Sequence, residues 1–351
     1  MTKQRLTLAI TLATALAIIN FSSPAYPQTS RDDLLIVGSS SVYPLAMKVA
    51  EKFSQSKNFK PPRIQSTGTG AGIKEFCAGI GPATPDLVNA SRPIKPSEIK
   101  LCAQNGVKEI IEIIIGYDAV VLARMAKADS LPLTRKEIFM ALAKNTPDPQ
   151  GSARLIPNPY RVWKDINPAL PGTKISVWVP GEAHGTHDLV MSHIMVAGCK
   201  QFAWLQALES TDPQTYKAAC ETFREDGAYK VFSEFDQAIQ AVKSDSSALG
   251  IVGYIWLRQN LDLQASSIDG EEPLPGSISH GVYPLTRPLF FYLKKAHVGV
   301  IPGLKEFVAE FTSDQAWGST GYLFDIGLIP MPLKERRQAK ANADGLIPLS
   351  Q

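Results

Sequence analysis

The chain has 351 residues, with 36 Lys+Arg against 33 Asp+Glu. Setting aside Lys3 and Arg5 of the first segment leaves 34 basic against 33 acidic residues. That near-neutral balance excludes a nucleic-acid binder, which needs surplus positive charge to release counterions.

Residues 1–30 open on Lys3 and Arg5, run apolar over residues 6–19 and end in the small, turn-forming FSSPAYPQ. This order predicts a cleavable secretory signal over residues 1–28, cut near Ala25 or Gln28. The apolar run is shorter than the roughly 20 residues that span a bilayer, and no cysteine stands nearby to carry a lipid. A soluble exported chain of about 320 residues remains, enough for two domains.

DLLIVG (residues 33–38) is a buried-strand candidate. In the following SSSVYPLAMKVAEKFSQ, Val42, Leu45, Ala46, Val49 and Phe53 recur at helical spacing behind serines suited to the N-cap. RIQSTGTGAGIKEFCAGI repeats the plan, with Ile73, Phe76, Cys77 and Ile80 on one helix face. DLVNASRPI is another strand ending in small polar residues, and PSEIKLCAQNG opens a helix at Ser97 and stops at Asn105-Gly106. EIIEIIIGYDAVVLAR is a long β-rich stretch, LTRKEIFMALAK a helix capped by Thr134, and residues 145–171 read as loop. KISVWVPGEAHGTHDLVMSHIM is a fourth strand–turn–helix unit. SALGIVGYIW is a strand, residues 259–283 are loops and short pieces, PLTRPLFFYLKK is a strand, and PGLKEFVAEFTS is a helix with Leu304, Phe307, Val308 and Phe311 inside.

Cys77, Cys102, Cys199 and Cys220 are an even set in an exported chain, which favours disulfides, and no pair has the C-x2-C spacing of a zinc site. Three pairings are open. The local ones, Cys77–Cys102 and Cys199–Cys220, are preferred, each constraining the unfolded chain by about 3 kcal/mol.

Four times, then, a strand ends in hydroxyl-bearing or glycine residues just before a helix begins. Helix N-termini carry unpaired N–H groups and the positive end of a dipole, and ligands of open α/β sheets sit beyond the strands' carboxyl ends. The pattern predicts an anion cradle, with Arg92 as a bidentate fork. Its rivals are weaker. His184, His187 and His193 lack the H-E-x-x-H spacing of a zinc helix. There is no G-x-S-x-G elbow, and GTGAG is neither a dinucleotide fingerprint nor a Walker loop. The reading is therefore a binding protein and not an enzyme, with no cofactor and no metal.

GSSSVYP, STGTGAGIKEFCAG, NASRPI, the turn around HGTHD and YPLTRPLFFYLKKAH, taken in that order, resemble the periplasmic phosphate-binding proteins of bacterial ABC importers. The likeness runs over about residues 33–330. It implies an α/β fold of two lobes, each a mixed sheet flanked by helices, with two hinge crossings near GYDAVVLA and PLTRPLFFYLK. Lobe 1 would comprise residues 29–117 plus 283–351, and lobe 2 residues 118–282. The resemblance implies a periplasmic, monomeric solute-binding protein that captures inorganic phosphate between the lobes and delivers it to a membrane ABC permease. The alternatives are a receptor for another oxyanion or small acid, or a secreted phosphatase-type hydrolase. By matching position the ligand set is Ser40 and Ser41, Thr69 and Gly70, Ser91 and Arg92, and His184, Gly185, Thr186 and His187. Relatives usually carry serine and arginine where this chain has His184 and His187, and some place an aspartate where Arg92 stands, leaving Glu182 or Asp188 as candidate proton acceptors. Imidazoles that titrate near pH 6.5 predict anion affinity that rises as His184 or His187 protonates.

Overall fold

The structure, a computed structural model, describes residues 31–56, 59–129, 131–182 and 184–349. The secretory signal expected over residues 1–28 lies outside them. No helix of the described residues is long and apolar enough to cross a membrane.

The first body begins with β1 (Leu35–Gly38), α1 (Tyr43–Ser56), β2 (Arg63–Ser66), α2 (Thr69–Phe76), β3 (Leu87–Ala90) and α3 (Pro96–Gln104). Strand β1 lies parallel between β2 and β3. Val42, just before α1, and Leu45, Val49 and Phe53 on its apolar stripe pack into a core with Leu304, Phe307 and Phe311 of the helix Leu304–Phe311. Helix α2 ends one turn earlier than its periodicity predicts. Cys77 is its cap, and Ile80 stands 52% exposed instead of sharing the buried face. The glycines on either side of Ile80, Gly79 and Gly81, favour turn over helix here.

Strand β4 (Ile110–Met125) is 16 residues long. Residues 110–119 pair antiparallel with β11 (Thr286–Lys294), and residues 120–123 pair with β9 (Ala248–Gly253). The second body continues through α4 (Arg135–Leu142), β5 (Asn145–Pro147), β6 (Leu155–Pro157), α5 (Trp163–Ile166), β7 (Ser176–Pro180) and α6 (Gly185–Leu189), then β8 (Tyr229–Phe232), β9 and β10 (Leu263–Ala265). The stretch expected as loop over residues 145–171 thus holds a small hairpin and a helical turn. Its prolines end each piece quickly, so no periodicity builds up. The strand expected over residues 247–256 stops at Gly253, and the helix Tyr254–Gln259 follows. Thr134 caps α4 as predicted: its hydroxyl accepts from the Glu137 N–H, and Glu137 accepts from the Thr134 N–H at 2.7 Å, a reciprocal capping box.

The main sheet runs β2-β1-β3-β11-β4-β9-β7-β8, with β10 paired to β4. Two apolar clusters cover the two faces of its first half, and a separate one fills the second body around Phe139, Trp163, Val177 and Ile251. The molecule is therefore a two-lobed α/β fold, joined where β4 changes partners.

Both local disulfides are present, Cys77–Cys102 and Cys199–Cys220, closing separations of 25 and 21 residues. The first ties α2 to α3, and the second ties the end of the long helix begun by α6 to Cys220. Replacing either pair by alanine is expected to cost about 2–5 kcal/mol. Urea titration of each variant checks this, and an unchanged midpoint would contradict it.

Lys294, at the end of β11, is fully buried; its Nζ donates to Thr84 Oγ1 at 2.7 Å and lies 4.9 Å from the Phe76 ring. Burial pushes its pKa down to about 7. A lysine whose folded pKa is depressed contributes stability above its unfolded pKa of about 10.4 and loses it as pH falls toward 7. Lys294→Met is expected to be neutral or stabilising at neutral pH, with its advantage over wild type shrinking from pH 7 to 10. Denaturation curves at both pH values test this.

Candidate functional site

The four strand–turn–helix junctions meet where the lobes face each other. In the first, Ser39–Ser41 follow β1; the Ser39 carbonyl accepts the Val42 and Tyr43 N–H groups, and the Ser41 N–H donates to Ser39 Oγ at 3.2 Å. The second begins at Gly68, which caps α2. A Cβ on Gly72 would stand 2.5 Å from Gly38 Cα, so only glycine lets α2 approach the first turn this closely. In the third, Ser91 follows β3; its N–H donates to Thr69 Oγ1 at 3.2 Å, and the two hydroxyls lie 3.2 Å apart. The fourth is the start of α6. A Cβ on Gly185 would lie 2.3 Å from Ser91 Oγ and 3.5 Å from Thr69 Oγ1, so the second lobe's helix rests directly on the first lobe's hydroxyls. The first-turn N–H groups of α2 and α6, those of Thr69, Gly70, Gly185 and Thr186 included, have no intrahelical acceptor.

A fifth element completes the cradle. Arg287 of β11 and Asp118 of β4 are each 3% exposed and form a salt bridge at 2.7 Å. The second Asp118 oxygen accepts the Tyr254 N–H at 3.1 Å. Arg287 Nη2 also donates to Ser41 Oγ at 2.8 Å, whereas Nη1 is buried without a partner among the described residues. Thr186 Oγ1 is likewise buried and unpartnered. A buried guanidinium nitrogen and a buried hydroxyl left unpaired cost free energy unless something polar reaches them. The sequence reading missed this pair. Its signal was a charge set inside each of two apolar stretches, Asp118 in GYDAVVLA and Arg287 in PLTRPLFFYL.

The other predicted residues divide. Ser40 Oγ lies 3.2 Å from His184 Nδ1, across the gap between the lobes. Arg92 does not present a free fork: Nη1 and Nη2 donate to the Glu98 carboxylate at 2.9 and 2.8 Å, Asp188 lies 3.8 Å from Nε, and Nε has no hydrogen-bond acceptor among the described residues. This pairing holds the Glu98 carboxyl below the usual range against the opposing effect of burial, and holds the Arg92 guanidinium above its own. The His187 ring sits 5.9 Å from that of Phe223. Desolvation pushes its pKa below the ordinary value, with Asp188 and Glu182 opposing, which favours the uncharged ring. Among the described residues, no three His, Cys, Asp or Glu side chains are grouped to hold a metal ion.

Beside the cradle a cleft of ≈ 1050 Å³ opens between the lobes, bordered by Ser40, Tyr43, His184, Phe235 and Trp256 and by the carboxylates of Glu182, Glu234 and Asp236.

The profile of the PBP superfamily domain matches residues 23–315. The protein SphX of Synechocystis sp. is 30% identical over 325 residues, covering 91% of this chain and 84% of SphX. The phosphate-binding protein PstS of Staphylococcus saprophyticus is 26% identical over 320 residues, covering 88% of this chain and 84% of PstS. Among solved structures, an ABC-type phosphate transport receptor from Vibrio cholerae superposes with a TM-score of 0.59 at 18% identity, covering 86% of this chain and all of that one; at that identity the likeness concerns the fold. With its five motif blocks spread over both lobes and its length matched almost end to end, the chain belongs to the PBP superfamily and is a relative of SphX and the PstS phosphate-binding proteins.

Proposed function

We propose that this protein is an exported, periplasmic receptor that captures inorganic phosphate between its lobes and delivers it to an ABC permease. The unpartnered Arg287 Nη1 beside Ser41 carries the proposal, because a buried guanidinium aimed at hydroxyls and helix N-termini suits a dehydrated oxyanion. Ser41, Thr69, Ser91 and Thr186 supply hydroxyls. The N–H groups at Ser40, Gly70, Gly185 and Thr186 supply further donors, and Arg92 contributes through Nε. His184 and His187 border the fourth turn. Lobe 1 is residues 29–117 plus 283–351 and lobe 2 residues 118–282, so that Ser40, Ser41, Thr69, Gly70, Ser91, Arg92 and Arg287 close on His184, Gly185, Thr186 and His187. The protein acts as a monomer, needs no cofactor and performs no chemistry on its ligand.

Isothermal titration with phosphate is the direct test. A Kd at or below about 1 μM, near −8 kcal/mol, is expected for several charge-assisted bonds of about 1.5–3 kcal/mol each, less the cost of ordering. Arsenate, equal in shape and protonation, should compete. No heat with phosphate alongside binding of a carboxylate would overturn the reading.

A further inference from the structure

Ser40 and Ser41 are adjacent, yet their neighbours impose opposite polarity on them. A serine hydroxyl has one hydrogen to donate and two lone pairs to accept with. Ser41 Oγ accepts from Arg287 Nη2 at 2.8 Å, and a guanidinium has no acceptor to offer in return. The Ser41 hydrogen is therefore free for a ligand. Ser40 faces His184, whose Nε2 lies 2.7 Å from the Ser233 carbonyl oxygen. A carbonyl only accepts, so Nε2 carries a hydrogen, and in the neutral ring Nδ1 is then an acceptor. The hydrogen of the contact between Ser40 Oγ and Nδ1 at 3.2 Å thus belongs to Ser40, and what Ser40 has left for a ligand is a lone pair.

We infer that Ser40, with its polarity set by His184 and the Ser233 carbonyl, is the acceptor through which the site recognises a protonated oxyanion and rejects an unprotonated one. The inference rests on the proposed phosphate reading. Near neutral pH phosphate and arsenate retain a hydrogen and donate it; sulfate has none, so its oxygen would meet the Ser40 lone pair without a hydrogen between them. Asp118 and Asp188 are engaged elsewhere. Both Asp118 oxygens already accept, and Asp188 is 59% exposed and drawn toward Arg92. His184 is therefore a positioning residue. It acts on the ligand through Ser40.

The relay reverses with acid. A doubly protonated His184 donates from Nδ1 to Ser40 Oγ, which releases the Ser40 hydrogen to the ligand and makes the site hospitable to sulfate. Around the imidazole, the rings of Phe235 and Phe232 stand 5.1 and 6.2 Å away. Its titratable neighbours are His187 on α6 and Glu182, Glu234 and Asp236 on the cleft wall.

Calorimetry with phosphate and sulfate from about pH 5.5 to 8.5 brackets a histidine pKa and tests the relay. Sulfate keeps the same charge throughout and so reports the protein alone. In wild type, sulfate affinity should be about tenfold or more higher at the acid end of this range than at the alkaline end. In His184→Phe, which keeps an aromatic ring beside Phe235, sulfate affinity should be flat with pH, and the phosphate-over-sulfate ratio at pH 8 should drop at least tenfold. Ser40→Ala gives an independent reading: phosphate weakens while sulfate does not. Phosphate binding with the same sulfate ratio and pH profile in wild type and His184→Phe would overturn the relay alone. No phosphate binding by wild type would overturn the functional reading and the relay together.

Discussion

Arg287→Met is expected to abolish phosphate binding, with affinity lost by at least about three orders of magnitude, some 4 kcal/mol. The guanidinium holds Asp118, donates to Ser41 and leaves Nη1 for the ligand, so one substitution removes a ligand donor and disorders its neighbour. It also strands Asp118, 3% exposed, with the Tyr254 N–H as its one remaining partner among the described residues. Breaking a buried pair from one side costs about 3–5 kcal/mol of stability, and the unfolding midpoint should fall accordingly. The double variant Arg287→Met/Asp118→Leu removes both charges and should recover much of that stability without recovering binding. Arg287→Lys separates charge from geometry: it keeps the cation but cannot serve Asp118, Ser41 and the ligand together, and should bind weakly. Wild-type affinity in Arg287→Met would remove this residue from the site.

Gly185→Ala is the second large effect, and it comes from space alone. The added Cβ would stand 2.3 Å from Ser91 Oγ, a contact no real side chain makes, so either Ser91 swings its hydroxyl away from Thr69 or α6 lifts off the first lobe and takes its free N–H groups with it. Binding should weaken about a hundredfold or more, close to 3 kcal/mol. The midpoint should hardly change, since the clash exists only when the lobes meet. Because Ser91 Cβ would lie at 3.7 Å, an ordinary contact, Gly185→Ala/Ser91→Ala should bind more tightly than Gly185→Ala alone, although it lacks one hydroxyl. Full additivity of the two losses would show that the residues do not touch in the bound state.

The parts of this site that a sequence displays are those that follow from local backbone chemistry. Ser39–Ser41, Thr69, Ser91 and Gly185 each sit between an apolar run and a helical stripe, and small hydroxyl residues at such junctions have a physical reason to be there. The apolar periodicities of α1 and of the helix Leu304–Phe311 place their buried faces correctly, and both disulfides follow from short loop closure. The central ion pair is different in kind. Asp118 and Arg287 are 169 residues apart, and only the pairing of β4 with β11 brings them together. The same applies to Arg92, whose fork is engaged by Glu98 six residues on, a choice of partner that spacing alone does not decide. His184 shows a third limit, since its role depends on which nitrogen carries the hydrogen, and a backbone carbonyl at Ser233 decides that.

The sharing of β4 between the two lobes has a mechanical consequence. The lobes are not strung on slack linkers; a hydrogen-bonded ribbon of β4 and β11 passes from one to the other, with a break in register between Leu289 and Phe290. Such a bulge adds local twist and unpaired backbone. Because this crossing is paired backbone, moving the lobes apart would twist hydrogen-bonded strand and not swing on a free linker, so the crossing itself resists wide opening.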